Sequence, residues 1–387
     1  MKAVKNGKFI LPNERGNFFI STEKILTFGE KIISLENSTN AEEIIDAQGN
    51  FVSPGFINIH IHGCAGADTM DATPAALKTM CEFLPTAGVT SFLPTTMTMP
   101  LDDIKRALKN IRDCKNFGGA KILGANVEGP FISEKYHGAQ DKKSILCADL
   151  KIFEEFFDVM KIITFAPEEL DDFKFIDACN EKNIVPAIGH SAATYEIATA
   201  AIERGANHIT HLFNAQTGLH HRKPGIVGAA FDSNATVELI SDNVHVAAAT
   251  QRIVQKIKPR SEIILITDSM RACGLGDCES ELGGQKVFVK DGVARLADGN
   301  IAASVAPMND VVKKFYHNTK ISIPEVVELA TKNPARRLKL YDKIGSLEVG
   351  KAADILIFDE DFNIKAAFVD GKNFFAPIKK SRLLIET

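Results

Sequence analysis

Six residues of this 387-residue chain are of the types that hold transition metals, and each closes a short apolar, β-branched run. His60 and His62 end the run 56–62, Glu128 ends 122–128, His190 ends 184–190, His211 ends 208–211 and Asp268 ends 263–268. Residues i and i+2 of a strand point to the same side, so both rings of the His-Ile-His segment can reach one ion. Four imidazoles with two carboxylates suit Zn²⁺ or Fe²⁺ better than Mg²⁺, which favours oxygen alone. An isolated H-x-H pair would read as two satisfied core histidines; the four other ligand types at strand ends turn the reading toward metal. Metal ions in such a setting lower the pKa of bound water to about 7. The hydroxide so formed attacks a carbonyl carbon, and Asp268 beside it would take the proton and pass it to the departing nitrogen. A metal would also polarise the carbonyl and stabilise the tetrahedral oxyanion. The chemistry expected is hydrolysis of an amide or related C–N bond.

For these six to meet, their runs must be neighbours in one sheet with their C-terminal ends on the same side. Eight such runs occur, at 56–62, 89–94, 122–128, 162–167, 184–190, 208–211, 237–241 and 263–268, with helical stretches between most of them, among them 101–114, 150–160, 194–204 and 246–257. Strands alternating with helices imply parallel βαβ units. Eight units imply an α/β fold of the TIM type, a closed (β/α)₈ barrel whose C-terminal strand ends form the active site. A doubly wound open sheet is the alternative, but no G-x-G-x-x-G follows the first run. Such a barrel takes about 250 residues, which leaves room for one small companion domain. Both ends of the chain are β-rich: Lys8-Phe-Ile-Leu, Phe18-Phe-Ile and Lys31-Ile-Ile-Ser-Leu at one, Ala353-Asp-Ile-Leu-Ile-Phe and Ala366-Ala-Phe-Val-Asp-Gly-Lys at the other. The expected organisation is a small β-sandwich domain built from 1–53 and 344–387, with the barrel, 54–343, inserted between them. The alternative is that each end merely extends the barrel.

Composition narrows the function classes. A net charge of −4 offers no general attraction for nucleic acid. No apolar stretch approaches the roughly 20 residues of a membrane span, and Met1 to Ile10 carries no long apolar run of the signal-peptide kind. The seven cysteines form no C-x-x-C pair, so reduced thiols and a cytoplasmic location are expected. With 25 Phe, 4 Tyr and no Trp, phenylalanine supplies most of the aromatic core. His208, three residues before His211, reads as structural, and His317 as a surface residue of a helix. The loop His220-His-Arg-Lys223 reads either as a solvated basic surface or as an anion site.

The order of H-x-H, Glu, His, His and Asp along the strands resembles the amidohydrolase superfamily. So do the opening Val52-Ser-Pro-Gly-Phe-Ile-Asn-Ile-His-Ile-His-Gly63 and the closing Asn333-Pro-Ala-Arg through Ile344-Gly-Ser-Leu-Glu-Val-Gly-Lys-Ala-Ala-Asp354. Further segments are similar to those of N-acetylglucosamine-6-phosphate deacetylases: Val127-Glu-Gly-Pro-Phe131, Phe165-Ala-Pro-Glu168, Gly189-His-Ser-Ala-Ala-Thr194, Thr210-His-Leu-Phe-Asn-Ala215, Arg222-Lys-Pro-Gly225 and Ser241-Asp-Asn-Val-His245. The resemblance implies release of acetate from the acetamido group of an amino-sugar phosphate. It implies that Glu128, His190 and His211 bind a principal metal, and that His60, His62 and Asp268 hold a second, with Glu128 bridging. Two divalent ions per chain, Zn²⁺ or Fe²⁺, are therefore expected, with Asp268 as general acid and base. Asn214, the backbone of Ala215, His245 and Arg222 match residues that hold the sugar phosphate, Arg222 reaching across the interface of a homodimer. Gln140 stands where some members place a substrate-contacting histidine.

Three departures accompany the resemblance. Asn58 replaces the usual Asp of the first-strand motif, Gly63-Cys-Ala-Gly66 replaces a richer glycine run, and Ile301-Ala-Ala-Ser-Val-Ala-Pro-Met308 replaces a segment closer to Ala-Gly-Ser-x-Leu-Thr-Met. The last leaves sugar selectivity open. A deacetylase of N-acetylgalactosamine 6-phosphate or of another N-acylated amine is one alternative, and a non-catalytic metal-binding barrel is another.

Overall fold

A strand covered on both faces reads as a continuous apolar run, because helices pack outside it and other strands' side chains fill the space inside. The eight expected runs behave in this way in the computed structural model, which describes residues 1–114 and 117–375. They form Phe56–Ile61, Val89–Thr96, a third strand in two parts (Lys121–Ile122 and Ala125–Glu128), Met160–Phe165, Val185–Ile188, His208–Ile209, Thr236–Leu239 and Ile263–Leu265. Neighbours pair in parallel from the first strand to the eighth. The third strand breaks at Gly124, whose φ of +144° and whose approach to Val159 exclude a side chain: an added Cβ would lie 2.5 Å from the Val159 carbonyl oxygen. The Leu123 amide bonds to the Phe92 carbonyl of the second strand and the Ala125 amide to the Val159 carbonyl before the fourth; past the break the strand keeps its pairing with the second strand and adds pairing with the fourth.

The nearly closed barrel has its seam between the eighth strand and the first. Among the described residues, main-chain bonds join it only at its upper end: the Asp268 amide donates to the His60 carbonyl at 3.0 Å, and the amides of His62 and Gly63 both donate to the Ser269 carbonyl at 2.9 Å. Below these, the fully buried Asn58 spans the gap. Its Nδ2 donates to Thr267 Oγ1 at 2.7 Å, while its Oδ1 receives the Thr267 and His60 amides at 3.4 Å. An amide side chain both donates and accepts, whereas an ionised Asp there could only accept.

Helices follow most strands, including Leu101–Asp113, Tyr195–Glu203 and Ala248–Ile257. The helix expected over 150–160 is a departure: Leu150–Phe156 is a 3₁₀ helix and Met160 already begins a strand. The buried residues Leu150, Phe153 and Phe156 recur every third position, which matches three residues per turn rather than 3.6. After the eighth strand the chain inserts an antiparallel sheet of Cys278–Leu282, Gln285–Lys290 and Val293–Leu296 that the sequence reading did not anticipate.

The two ends meet in one six-stranded sheet, in which Phe51–Pro54 lies between Lys8–Pro12 and Ile355–Phe358. Alternation sends its side chains to two cores. Phe9, Val52, Ile355 and Ile357 pack with Val4, Leu26 and Phe28 of a four-stranded sheet, giving a β-sandwich. Ile10, Phe51, Leu356 and Phe358 face the barrel, where Phe358 stacks on Phe51 and Phe362 at 5.6 and 5.1 Å between centroids. Residues 376–387 of the expected C-terminal portion lie outside the described residues. No helix among the described residues is long and apolar enough to cross a membrane.

Asn58→Ala should unfasten the seam. Leaving buried donors and acceptors unpaired costs about 1–3 kcal/mol, so the denaturant midpoint should fall; a midpoint equal to that of the wild type would contradict the role of Asn58.

Candidate metal centre in the barrel mouth

Parallel strands deliver side chains from their C-terminal ends into a shared mouth, and the six candidate ligands meet there. Glu128 lies at the centre. Its Oε1 is 2.9 Å from His211 Nε2, 3.2 Å from His190 Nε2 and 3.3 Å from His60 Nε2. Its Oε2 is 3.3 Å from His62 Nε2. Asp268 Oδ1 lies 3.2 Å from His62 Nε2 and 3.4 Å from His60 Nε2. Two triads result, His60–His62–Asp268 and Glu128–His190–His211, each with its ligand atoms within 4.8 Å of one another.

Three of these ligands sit past their strands in left-handed backbone: φ is +49° at His190, +27° at His211 and +49° at Asp268. Residues other than glycine adopt that region at a cost and hold it only when their surroundings over-determine it. Hydrogen bonds to the main chain of these residues supply that constraint. Ser133 donates to the His190 carbonyl at 2.8 Å, Ser304 to the Asp268 carbonyl at 3.1 Å, and the His211 amide donates to Glu238 Oε2 at 3.2 Å.

The outer nitrogens decide what the rings offer the mouth. His62 Nδ1 faces the Thr95 carbonyl at 3.2 Å and His190 Nδ1 the Tyr136 carbonyl at 3.0 Å. A carbonyl only accepts, so each Nδ1 carries the proton and, in the neutral ring, Nε2 presents a lone pair. His60 Nε2 is buried, without a hydrogen bond, although the two carboxylates lie near it. Inward lone pairs with two central carboxylates form the donor set of a divalent metal.

The same carboxylates also draw positive charge into the mouth. Burial alone would lower His62, yet Asp268 and Glu128 push its imidazole up to about 10. Burial would raise Glu128, yet His190 and His60 hold it well below the usual carboxylate range. Asp268 is lowered in the same manner, chiefly by His60 and His62 against its burial. Both carboxylates favour positive charge between them, and a divalent cation supplies it.

Of the remaining candidates, Gln140, Asn214, Ala215 and His245 line the cavity above the cluster. Gln140 is tied to the ligands: Nε2 donates to Glu128 Oε2 at 2.5 Å and Oε1 receives the Thr98 amide at 2.6 Å. Asn214 Nδ2 donates to the His211 and Leu212 carbonyls, at 3.2 and 3.3 Å. With Phe213 at φ +81° and Ala215 at +47°, this loop has the alternating backbone from which anion-binding nests are made. Burial would lower His245, but Asp242, 2.7 Å from its Nδ1, raises it and favours the imidazolium. The segment flagged as divergent contributes Ile301, Ala302 and Ala303 to the wall. Arg222 is not brought to the cavity within one chain; it is exposed, with Nη1 2.7 Å from His221 Nε2.

One residue escaped the sequence reading. Glu238 is fully buried on the seventh strand, touching His60, His208 and the His211 amide. The signal was present: a carboxylate inside the apolar run 237–241 must have partners to be buried. His208 lies beside it and outside both triads, as its structural reading anticipated.

The amidohydrolase family model matches residues 51–374 of this chain. The chain is 39% identical to an N-acetylglucosamine-6-phosphate deacetylase of Bacillus subtilis, the match covering 87% of each. It is 33% identical to an N-acetylgalactosamine-6-phosphate deacetylase of Escherichia coli O157:H7, over 85% of this chain and 89% of that protein. The crystal structure of an N-acetylglucosamine-6-phosphate deacetylase from Thermotoga maritima is similar at a TM-score of 0.86 and 34% identity, covering 97% of this chain and 100% of that one. With its fold and ligand geometry in agreement with these matches, the chain belongs to the amidohydrolase family and, within it, to the N-acetylglucosamine-6-phosphate deacetylases.

Proposed function

We propose that this chain hydrolyses the acetamido group of N-acetylglucosamine 6-phosphate to glucosamine 6-phosphate and acetate. The observation that carries the reading is a cavity lined by five of the six clustered candidate ligands, His62, Glu128, His190, His211 and Asp268, together with His245, a residue biased to be cationic. Glu128, His190 and His211 would hold a principal ion, and His60, His62 and Asp268 a second, with Glu128 reaching both. Zn²⁺ and Fe²⁺ suit these nitrogen-rich sets. Bound there, a divalent ion supplies Lewis acidity to the carbonyl and lowers the pKa of water.

The chain's own groups then have separate tasks. Asp268, its side chain 13% exposed at the cavity, is a carboxylate whose ionised form His60 and His62 favour against its burial. It accepts a proton from the attacking water and returns it to the nitrogen as the C–N bond breaks, so that the amine leaves neutral. His245 donates to the phosphate as an imidazolium, with Asn214 and the Ala215 amide beside it. Arg222 completes the phosphate site from a second copy of the chain, which accounts for its exposure here. Gln140 orients Glu128 and stands at the substrate's edge. A cytoplasmic location fits the seven reduced cysteines.

A second reading, the N-acetylgalactosamine epimer, is favoured by the substituted wall Ile301–Ala303 and by likeness to the E. coli protein. Comparing kcat/KM for both phosphorylated epimers and unphosphorylated N-acetylglucosamine separates the two. The glucosamine epimer should be preferred and the unphosphorylated sugar poor; preference for the galactosamine epimer would replace the first reading with the second.

Three further outcomes are expected. Zinc-loaded protein should approach two equivalents by elemental analysis, and a maximum of one would refute the second site. Asp268→Asn should lower kcat by about 10²–10⁴-fold while zinc remains at Glu128, His190 and His211; near-normal turnover would refute the proton-transfer role. Arg222→Ala should reduce kcat/KM for the phosphorylated sugar by roughly ten- to a hundredfold, since a hydrogen bond to a charged group contributes about 1.5–3 kcal/mol, and leave the unphosphorylated sugar unaffected. Mixing Arg222→Ala with Asp268→Asn chains should restore activity above either parent, because one site of each mixed dimer is intact. Mixed dimers without restored activity would return the phosphate site to a single chain.

A further inference from the structure

Glu238 has no task in the chemistry above, and its position is costly. It lies on a strand buried on both sides, its side chain 0% exposed. Withdrawing an ionised carboxylate from water is costly unless its oxygens are paired. Both are. Oε2 is 2.8 Å from His60 Nδ1 and 3.2 Å from the His211 amide nitrogen; Oε1 is 3.2 Å from His208 Nε2. His208 is anchored in turn, its Nδ1 2.6 Å from Thr236 Oγ1. Glu238 does not line the cavity, so it acts on substrate only through other residues. A single oxygen therefore holds one member of each ligand triad, the ring of His60 and the main chain of His211.

We propose that Glu238 is the positioning residue of the metal centre, accepting the Nδ1 proton of His60 so that Nε2 faces the ions as a lone pair, and pinning the left-handed backbone of His211. The inference rests on the metal reading of the cluster. A neutral imidazole carries one N–H. Were it on Nε2, the proton would point among the ligands and His60 could not coordinate. A carboxylate only accepts, so it selects the Nδ1–H tautomer. His62 and His190 obtain the same tautomer from neutral carbonyls. His60 obtains it from a charge, which makes its ring a stronger donor. Among the described residues the His211 ring has no hydrogen-bond partner at Nδ1; beyond its Nε2 contacts with Glu128 and His190, the ring is placed by the backbone that Glu238 holds.

The test uses the zinc-loaded protein and its variants Glu238→Gln, Glu238→Ala, His60→Ala and His60→Ala/Glu238→Gln. Zinc affinity is read by competition with a chromophoric chelator, and folding by circular dichroism. Glu238→Ala should weaken zinc binding by about 10–100-fold. Glu238→Gln, which keeps an oxygen that can accept from His60, should lose less. In the His60→Ala background, Glu238→Gln should have a smaller effect than in the wild type, because much of its target is gone. Wild-type zinc affinity in a folded Glu238→Ala variant, or the same loss from Glu238→Gln in both backgrounds, would overturn the proposal. Wild-type protein that takes up no zinc would instead defeat the metal reading itself. If the Glu238 variants do not fold, the decision falls to nitrogen-15 NMR of histidine-labelled, zinc-loaded wild-type protein. His60 should show a slowly exchanging Nδ1–H, assigned by its loss in His60→Ala, and an Nε2–H tautomer would overturn the proposal.

Discussion

Burial of Glu128 among four imidazoles is the constraint on which the rest of the molecule depends. A carboxylate this deep is retained only where positive charge or hydrogen bonds compensate its lost hydration. His60, His62, His190 and His211 approach it to between 2.9 and 3.3 Å, and Gln140 adds a donor. Four rings cannot crowd one carboxyl group unless their backbones arrive from several strands at the same height. Parallel strands around a barrel meet that requirement, and the left-handed turns at His190, His211 and Asp268 make the final adjustment.

The same demand shapes the surrounding structure. Because the ligands stand at one end of the barrel, the seam between the eighth and first strands is tied most firmly at that end, by His60, His62, Gly63, Asp268 and Ser269. Asn58 and Glu238 lie beneath the ligands and convert backbone that would otherwise be unpaired into hydrogen-bonded support. Ser304 connects the divergent wall segment to the main chain of Asp268, so changes in that wall can reach the proposed proton carrier through its backbone.

Much of this was legible in the sequence because strand burial and ligand placement both leave periodic marks. The eight apolar runs, the H-x-H spacing and the β-rich ends carried the architecture, and all six ligand candidates converge as anticipated. What escaped depends on tertiary context. Leu150, Phe153 and Phe156 suggest a helix, and their spacing of three is the mark of the 3₁₀ form that a reading for an α-helix passes over. Gly124 gives no sign that it divides the third strand in two. The polar strands from Cys278 to Leu296 lack a strongly apolar run because much of that sheet is exposed. Glu238 was passed over because a single carboxylate in an apolar segment acquires meaning only when His60 and His211, far away in sequence, are seen to meet it.

The proposal that Glu128 would be shared by two ions is tested most directly by anomalous diffraction from crystals of zinc-loaded protein, recorded on either side of the zinc edge. The account predicts two peaks about 3.5–4 Å apart, one beside His190 and His211, the other beside His60 and His62, each within about 2.0–2.2 Å of a Glu128 oxygen. A single peak, or two peaks of which only one contacts Glu128, would contradict it.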